Sequence, residues 1–296
     1  MTKRRGSAAW SSVDDLQRSL RDHRYLADRG LATALHLAVS LERPLFLEGE
    51  AGVGKTETAN VLASILGSEL IRLQCYEGIG VAQAIYDWNY PRQFLAVRAS
   101  EGTEHHVSVD DLFSWEFLVE RPLLRAIRTE SRSVLLIDEV DRADDEFEAF
   151  LLEVLSDFSI TIPEVGTITA QVPPVVILTS NRTREVHDAL KRRCFYHVIP
   201  HPDLEMESQI IRLRVPEATA SLAHDVARAV AGLRKLPLTK SPGVAETIDW
   251  TRALSFLGVT DLRTETARDT IGAAIKQEED LGVALEALPR IIGADG

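Results

Sequence analysis

Residues 45–62, "LFLEGEAGVGKTETANVL", carry side chains and glycines that could hold a polyphosphate. Gly49, Gly54, Lys55 and Thr56 fit the spacing G-x-x-x-x-G-K-[ST]. Glycines so placed let backbone N–H groups turn inward around phosphate oxygens. The Lys55 ammonium would reach the β- and γ-phosphates, and the Thr56 hydroxyl would ligate Mg²⁺. A helix opening at the lysine adds its positive dipole end. The expected nucleotide contacts are Gly49, Glu50, Ala51, Gly52, Val53, Gly54, Lys55, Thr56 and Glu57, with ATP and Mg²⁺ as ligands. The competing reading, a glycine turn ahead of a surface helix, gives no reason for the loop to fall between an apolar strand and a helix.

A second set of groups extends the chemistry. "VLLIDEVDR", residues 134–142, puts Asp138 and Glu139 at the end of an apolar run. In a parallel sheet such strand ends converge on the ligand crevice. Asp138 suits an outer-sphere contact to the metal of Thr56, so Thr56 and Asp138 are the expected metal residues. Glu139 can polarise a water against the γ-phosphate. A transferase has little use for that carboxylate, because its substrate hydroxyl replaces the water. "VVILTSN" ends another apolar run at Asn181. Alone, an Asn there is ordinarily a turn residue; beside Asp138 and Glu139 its amide could orient the attacking water. "DALKRRCF" puts Arg192 and Arg193 at a helix end, where they either complement the dipole or supply an arginine finger. The catalytic candidates are Glu139, Asn181, Arg193 and Arg192.

These residues need a scaffold that gathers them. Five runs, near 43–49, 69–75, 133–139, 174–181 and 194–200, are mostly continuous Val, Ile and Leu, the pattern of strands covered on both faces. Helical patterns intervene, among them "KTETANVLASIL", "RPLLRAIRTE", "DDEFEAFLLEVLSD" and "EVHDALKRR". Alternating strands and helices predict an α/β fold with a parallel sheet. "FSITIPEVGTITAQV", residues 158–172, alternates about Val165-Gly166 and predicts a β-hairpin. Beyond residue 202 only helical patterns remain, ending in "TIDWTRALSFL" and "ARDTIGAAIKQEEDLG". The expected organisation is a nucleotide-binding domain over residues 1–202, with an insertion at about 76–120 that is partly helical, and a helical domain over 203–296.

Composition narrows the function. A net charge of −12 argues against coating nucleic acid, which requires Lys and Arg to neutralise phosphates. The charge is uneven: residues 138–157 hold nine acids and one arginine, and residues 182–193 five bases and two acids. Two such surfaces facing different neighbours would make a head-to-tail contact, the kind that closes into rings. No apolar run approaches the roughly 20 residues of a membrane-spanning helix, and "MTKRRGSAAWSSVDD" lacks a signal-peptide core. Cys75 and Cys194 read as buried thiols in a reducing, cytoplasmic setting. Tyr86, Trp88, Tyr90 and Phe94 crowd the insertion, either packing on their own domain or meeting a client. His105 and His106, adjacent in a loop, offer little for a zinc site.

In this order, "GEAGVGKT", "LLIDEVDRA", "TSN" and "ALKRRCF" resemble an AAA+ ATPase. More narrowly they resemble the MoxR family, with an insertion in helix 2 and a hairpin before the sensor strand. Residues 78–99 are similar to that insertion in CoxD-like members, and the resemblance spans about residues 25–250. It implies a P-loop AAA+ core with a five-stranded parallel sheet, then a small all-helical lid domain. It makes Lys55 and Thr56 the phosphate and Mg²⁺ residues, Asp138 and Glu139 the Walker B pair, and Asn181 sensor 1. Arg193 becomes the finger acting on a neighbouring subunit, with Arg192 as the fallback. It further implies a hexameric ring, a von Willebrand A-domain partner and a metalloenzyme client. The chain would then be an ATP-hydrolysing remodelling chaperone for maturation of an enzyme such as a carbon monoxide dehydrogenase-like molybdenum hydroxylase. One departure stands out. The family's small domain often carries "SPRA", whose arginine meets the γ-phosphate; "KSPGVAETIDW" has Gly243 there, leaving Lys240 or Arg252 as substitutes. Two other functions compete. A nucleic-acid motor needs basic pore loops, and a small-molecule P-loop kinase leaves Glu139, Asn181 and Arg193 without a role.

Overall fold

The computed structural model describes residues 10–100 and 108–293, so His105 and His106 lie outside the described residues. Its strands are β1 Leu45–Glu48, β2 Leu70–Gln74, β3 Tyr86–Trp88, β4 Leu118–Glu120, β5 Val134–Asp138, β6 Ser159–Ile162, β7 Gly166–Thr169, β8 Val175–Ser180 and β9 Phe195–Val198. Five of them form one parallel sheet in the order β2-β5-β8-β1-β9. The central strands β1, β5 and β8 are buried at every position, as their unbroken apolar runs require. At the edge, β2 alternates: Ile71 and Leu73 face inward while Arg72 is exposed. Register aligns the strand ends. Gln74 pairs with Asp138, and Glu48 with Ser180, so neighbouring strands end level with one another and present polar residues together.

The chain divides into two compact units. The first comprises residues up to 16, 29–48 and 56–197; the second comprises 17–28, 49–55 and the chain from 198 onward. Phe46, Leu135, Ile137, Phe147 and Leu178 anchor the core of the first. The second is helical, with Val226, Val230, Trp250, Leu254 and Leu288 at its centre. Its indole is seated by a hydrogen bond from Trp250 Nε1 to Thr270 Oγ1 at 2.8 Å. The loop 49–55 groups with this helical unit, although the helix it opens, Lys55–Leu66, continues into the first.

Residues 158–172 form the β6–β7 hairpin, paired from Ser159↔Thr169 to Ile162↔Gly166. The insertion contains short helices and also a two-stranded antiparallel sheet, β3 with β4, which the sequence pattern does not predict. Three residues per strand carry no periodicity, and the pairing joins segments far apart in the chain. The insertion's aromatics divide. Trp88 is buried, edge-on to Tyr86 at 5.7 Å and to Phe113 at 5.1 Å. Tyr90 and Phe94 are 62% and 60% exposed. The last sequence pattern, "ARDTIGAAIKQEEDLG", is not one helix. A helix Thr264–Thr270 gives way to a 3₁₀ turn Ile271–Ala273, then the helix Glu278–Ile292 begins. Gly272, inside the 3₁₀ turn, disfavours continuing the first helix past Thr270, and Glu278, Glu279 and Asp280 favour the start of the next. Two helices ahead of β1, Val13–Asp22 and Arg29–Ser40, complete the described N-terminal part. None of the described helices is long and apolar enough to cross a membrane.

Candidate functional site

Asp138 closes β5 with only 2% of its surface exposed. Thr179 Oγ1 donates to its Oδ1 at 2.5 Å, and Thr56 Oγ1 lies 3.1 and 3.2 Å from its two carboxylate oxygens. Arg72, half exposed on the edge strand, donates from Nη2 to Oδ2 at 2.5 Å. Among the described residues no group of three His, Cys, Asp or Glu could hold a metal ion by itself. A threonine hydroxyl beside a buried carboxylate suits instead an Mg²⁺ held chiefly by phosphate oxygens and water.

Glu139 comes next in the left-handed region, at φ 56°. A non-glycine residue there costs on the order of 1–3 kcal/mol. Its N–H donates to Thr179 Oγ1 at 2.9 Å, so one hydroxyl bridges the two acids. The carboxylate is held on both oxygens. Asn181 Nδ2 donates to Oε1 at 3.1 Å, Gln74 Nε2 to Oε2 at 3.0 Å, and Arg142 Nη1 to Oε2 at 3.3 Å. Asn181 is in turn tied down by buried Asp141, which accepts from the N–H of Asn181 at 3.2 Å and from Thr183 N and Oγ1 at 2.8 and 2.6 Å. Asp138, Glu139, Asn181 and Thr56 are thus joined in one polar cluster. Gln74, Thr179, Asp141 and Arg72 belong to it too, and the sequence motifs do not single them out. A signal was available: three sit at or just past the end of an apolar run, where parallel strands meet a ligand.

The loop 49–55 is shaped by glycine. Gly52 and Gly54 take φ +80° and +98°, which side chains rarely adopt, and a Cβ on Gly49 would overlap the carbonyl oxygen of Ile199. Lys55 is buried, its Nζ donating to the carbonyls of Gly49 and Glu50 at 2.7 Å each. The loop's own cation therefore sits inside its turn. Glu50 points outward to His201 Nε2 at 2.9 Å, Val53 is buried, Ala51 is exposed, and Glu57 accepts from Asn60 Nδ2 at 3.0 Å. Lys240 presents its backbone N–H to Asp280, and Arg252 lies 3.5 Å from Asp249 on its own helix.

Just before the loop, Glu48 is nearly buried and receives Arg182 Nε at 2.7 Å, Tyr196 OH at 3.0 Å and Lys191 Nζ at 3.6 Å. Burial pushes its carboxyl up, but the hydrogen bonds from Arg182 and Tyr196, with the Lys191 charge, outweigh that and hold it below the ordinary value. Cys75 and Cys194 are both free and buried. Burial drives each thiol up to about 12, with nearby carboxylates adding to the effect at Cys75.

Arg192 and Arg193 stay outside the acidic cluster. Arg193 Nη1 donates to Leu152 O at 3.0 Å, the Arg192 carbonyl accepts from Arg43, and neither side chain bonds to Asp138, Glu139 or Asn181. Both are exposed. The picture of acidic and basic segments facing different neighbours needs correction. Arg184 of the basic segment binds Glu148 and lies 3.5 Å from Asp145, and His187 N–H donates to Glu148 at 2.7 Å. Part of the asymmetry is neutralised within one chain, because helix Asp188–Arg193 packs against helix Asp145–Asp157.

Residues 44–194 match the model of the AAA domain, dynein-related subfamily. The chain is 31% identical over 136 residues to the chaperone protein ClpB of Porphyromonas gingivalis, a match covering 45% of this chain but 13% of that protein. In fold it is similar to a RuvB point mutant of Thermotoga maritima, with a TM-score of 0.50 at 17% identity, covering 91% of this chain and 74% of that one. With its family match spanning more than half of its 296 residues, the chain belongs to the AAA domain family, dynein-related subfamily.

Proposed function

We propose that this chain is an ATPase that binds Mg·ATP at the loop 49–55 and hydrolyses it with the cluster around Glu139. The observation that carries the reading is the pair of contacts on adjacent acids: Thr56 on Asp138, and Asn181 on Glu139. Lys55, Gly49, Glu50, Ala51, Gly52, Val53, Gly54 and Glu57 surround the phosphates, Lys55 turning from the loop carbonyls toward β- and γ-oxygens. Mg²⁺, when bound with the nucleotide through Thr56 and Asp138, supplies charge neutralisation on those oxygens. Glu139 accepts the proton of the attacking water, and Asn181 fixes the orientation of that carboxylate. Thr179 and Asp141 hold the two acids and the asparagine in register.

The site is completed in trans by Arg193, or by Arg192, delivered across a ring interface, and the ring is hexameric. Such a finger stabilises γ-phosphate charge in the transition state. The segment from residue 203 to 296 acts as a lid domain. The work done is that of a MoxR-type chaperone, with a von Willebrand A-domain partner and a molybdenum hydroxylase-like client, in the cytoplasm. Support for a protein rather than a nucleic-acid client is the net charge of −12 and the exposed apolar side chains of the insertion, Tyr90, Phe94 and Leu95.

One set of assays tests this. Purified protein with Mg·ATP should release phosphate without phosphorylating a small molecule, and DNA or RNA should not stimulate the rate. Inactive Glu139→Gln and Arg193→Ala proteins, once shown to exchange subunits, should regain part of the activity on mixing. A mixture as inactive as its components would remove Arg193 from the trans role and direct the test to Arg192.

A further inference from the structure

The helix Val244–Phe256 starts directly against the loop 49–55. Val244 N–H donates to Gly52 O at 3.0 Å. A Cβ on Gly243 would stand 2.8 Å from Gly52 Cα, 2.9 Å from Glu246 Oε2 and 3.0 Å from Ala51 O. A Cβ on Gly52 would in turn stand 3.0 Å from Gly243 Cα. Two backbones therefore touch with no side chain between them, and neither position has room for one.

The approach is braced from behind. Arg234 is bidentate on Glu207, at 2.6 and 2.7 Å, and its Nε donates to Pro242 O at 2.8 Å. Thr247 Oγ1 lies 2.8 Å from Glu207 Oε1 and 2.9 Å from Gly243 O, its single proton serving one at a time. Glu207 and Thr247 are fully buried. The Glu246 carboxylate closes the turn by accepting from Gly243 N–H at 3.0 Å. A buried bidentate pair aims the peptide Pro242-Gly243-Val244 at a single carbonyl of the phosphate loop.

We propose that Arg234, Glu207 and Thr247 are positioning residues for nucleotide binding, acting through the Gly243–Val244 backbone on Gly52. A glycine loop is conformationally loose, and ordering it on arrival of the ligand opposes binding. Fixing the Gly52 carbonyl outward in advance leaves the adjoining N–H groups facing inward, so less ordering remains to be done. Linkage makes the effect reciprocal: whatever the strut adds to nucleotide affinity, bound nucleotide adds to the strut. Phosphate occupancy is thereby reported at the N-terminus of helix Val244–Phe256 through the main-chain contact with Gly52. The inference rests on the reading of loop 49–55 as the nucleotide loop.

The test uses the full chain, a fluorescent ADP analogue for affinity, steady-state ATPase kinetics and hydrogen exchange. Gly243→Ala should weaken ADP binding about tenfold, within the ordinary range of coupling between sites. The loss should fall on KM more than on kcat, with the melting temperature of the free protein kept. ADP should slow amide exchange across residues 243–248 in the parent and not in Gly243→Ala. Thr247→Val should weaken binding about fivefold, the low end of such coupling, and Thr247→Ser, which keeps the hydroxyl, should restore it. Gly282→Ala, where a Cβ meets nothing, should match the parent. A folded Gly243→Ala with parental ADP affinity overturns the proposal. So does a parallel fall of affinity, kcat and melting temperature, which is the mark of a merely structural role. Should Gly243→Ala fail to fold, the Thr247→Val and Thr247→Ser pair decides by the same criteria. A parent that binds no ADP would sink the nucleotide reading itself, whereas a parent that binds alongside an unaffected variant sinks only the strut.

Discussion

Around Asp138 and Glu139, position is set by side chains: Thr179 bridges both acids, Asn181 and Gln74 grip one carboxylate, and Asp141 grips the turn that carries Asn181. Around Gly52, position is set by main chain: a carbonyl meets the Val244 N–H, and glycines meet where a Cβ would overlap. The two constructions fail in opposite ways. A side-chain cluster fails by deletion, because removing one partner strands the other in a buried place. A backbone contact fails by addition, because the atom that breaks it is one that was never there. Truncation scanning would find the first directly, and would meet the second only through the side chains that brace it from behind, Arg234, Glu207 and Thr247.

The largest effect should come from the smallest chemical change in the side-chain cluster. Glu139→Gln keeps the hydrogen bond from Asn181 in shape but removes the base. Turnover should fall by about 10²–10⁴, while equilibrium binding of Mg·ATP stays, since Thr56 and Asp138 are intact. Phosphate release measured beside nucleotide affinity checks this, and near-parental turnover would take Glu139 out of its role. Lys55→Ala should show the reverse split, losing affinity first.

The insertion calibrates how burial governs deletion. Trp88 is nearly sealed, so Trp88→Ala should cost about 3–5 kcal/mol. Phe94→Ala, at a side chain open to solvent, should stay within about 0.5 kcal/mol. Denaturant unfolding of both variants measures the contrast, and equal losses would mean that Phe94 is covered in solution. Thr179→Val comes next. It leaves the Glu139 N–H and one Asp138 oxygen short of a partner, at about 1–3 kcal/mol. Turnover should drop about tenfold, as expected when a catalytic group is slightly misplaced. A stability loss without a rate loss would show that Thr179 serves the fold and not the acids.

The α/β order and the sheet were legible because β1, β5 and β8 are apolar at nearly every position, which only a doubly covered strand tolerates. The loop was legible because glycine, lysine and threonine at fixed spacing have few other uses. Gln74 and Thr179 were not singled out, because a polar residue at a strand end looks like punctuation until register places it opposite an acid; Gln74↔Asp138 is a fact of pairing, not of composition. The β3–β4 pair escaped for the same reason, being three residues long on each side. Gly243 was legible as an oddity, but its meaning lay in what it touches. The unequal charge of the two segments was read correctly as composition and too freely as surface, since Arg184 closes on Glu148 within the chain.

The smallest effect is expected at Glu48, the last residue of β1, where the side-chain construction hands over to the backbone one at Gly49. Its carboxyl is held below the ordinary value by Arg182, Tyr196 and Lys191 against the pull of burial. Between the folded value and 4.5, the value of an unperturbed carboxyl, the unfolded chain binds more protons, so stability rises with pH across that window. The contribution is fully present above the unfolded value and is lost as pH falls through the folded one. Arg182 is about half exposed, so solvent screens the pair and the gain should be at most about 1 kcal/mol. Thermal melts of the parent and Glu48→Gln from pH 6 downward should converge as acid is added, and parallel curves would remove Glu48 from the account. Nucleotide affinity of the same variant sharpens the comparison. If the loop is held by main chain, Glu48→Gln binds ADP as the parent does, one residue from the phosphate turn. If affinity falls with the lost stability, the strand-end side chains reach into the loop's geometry, and the division between the two constructions does not hold at their seam.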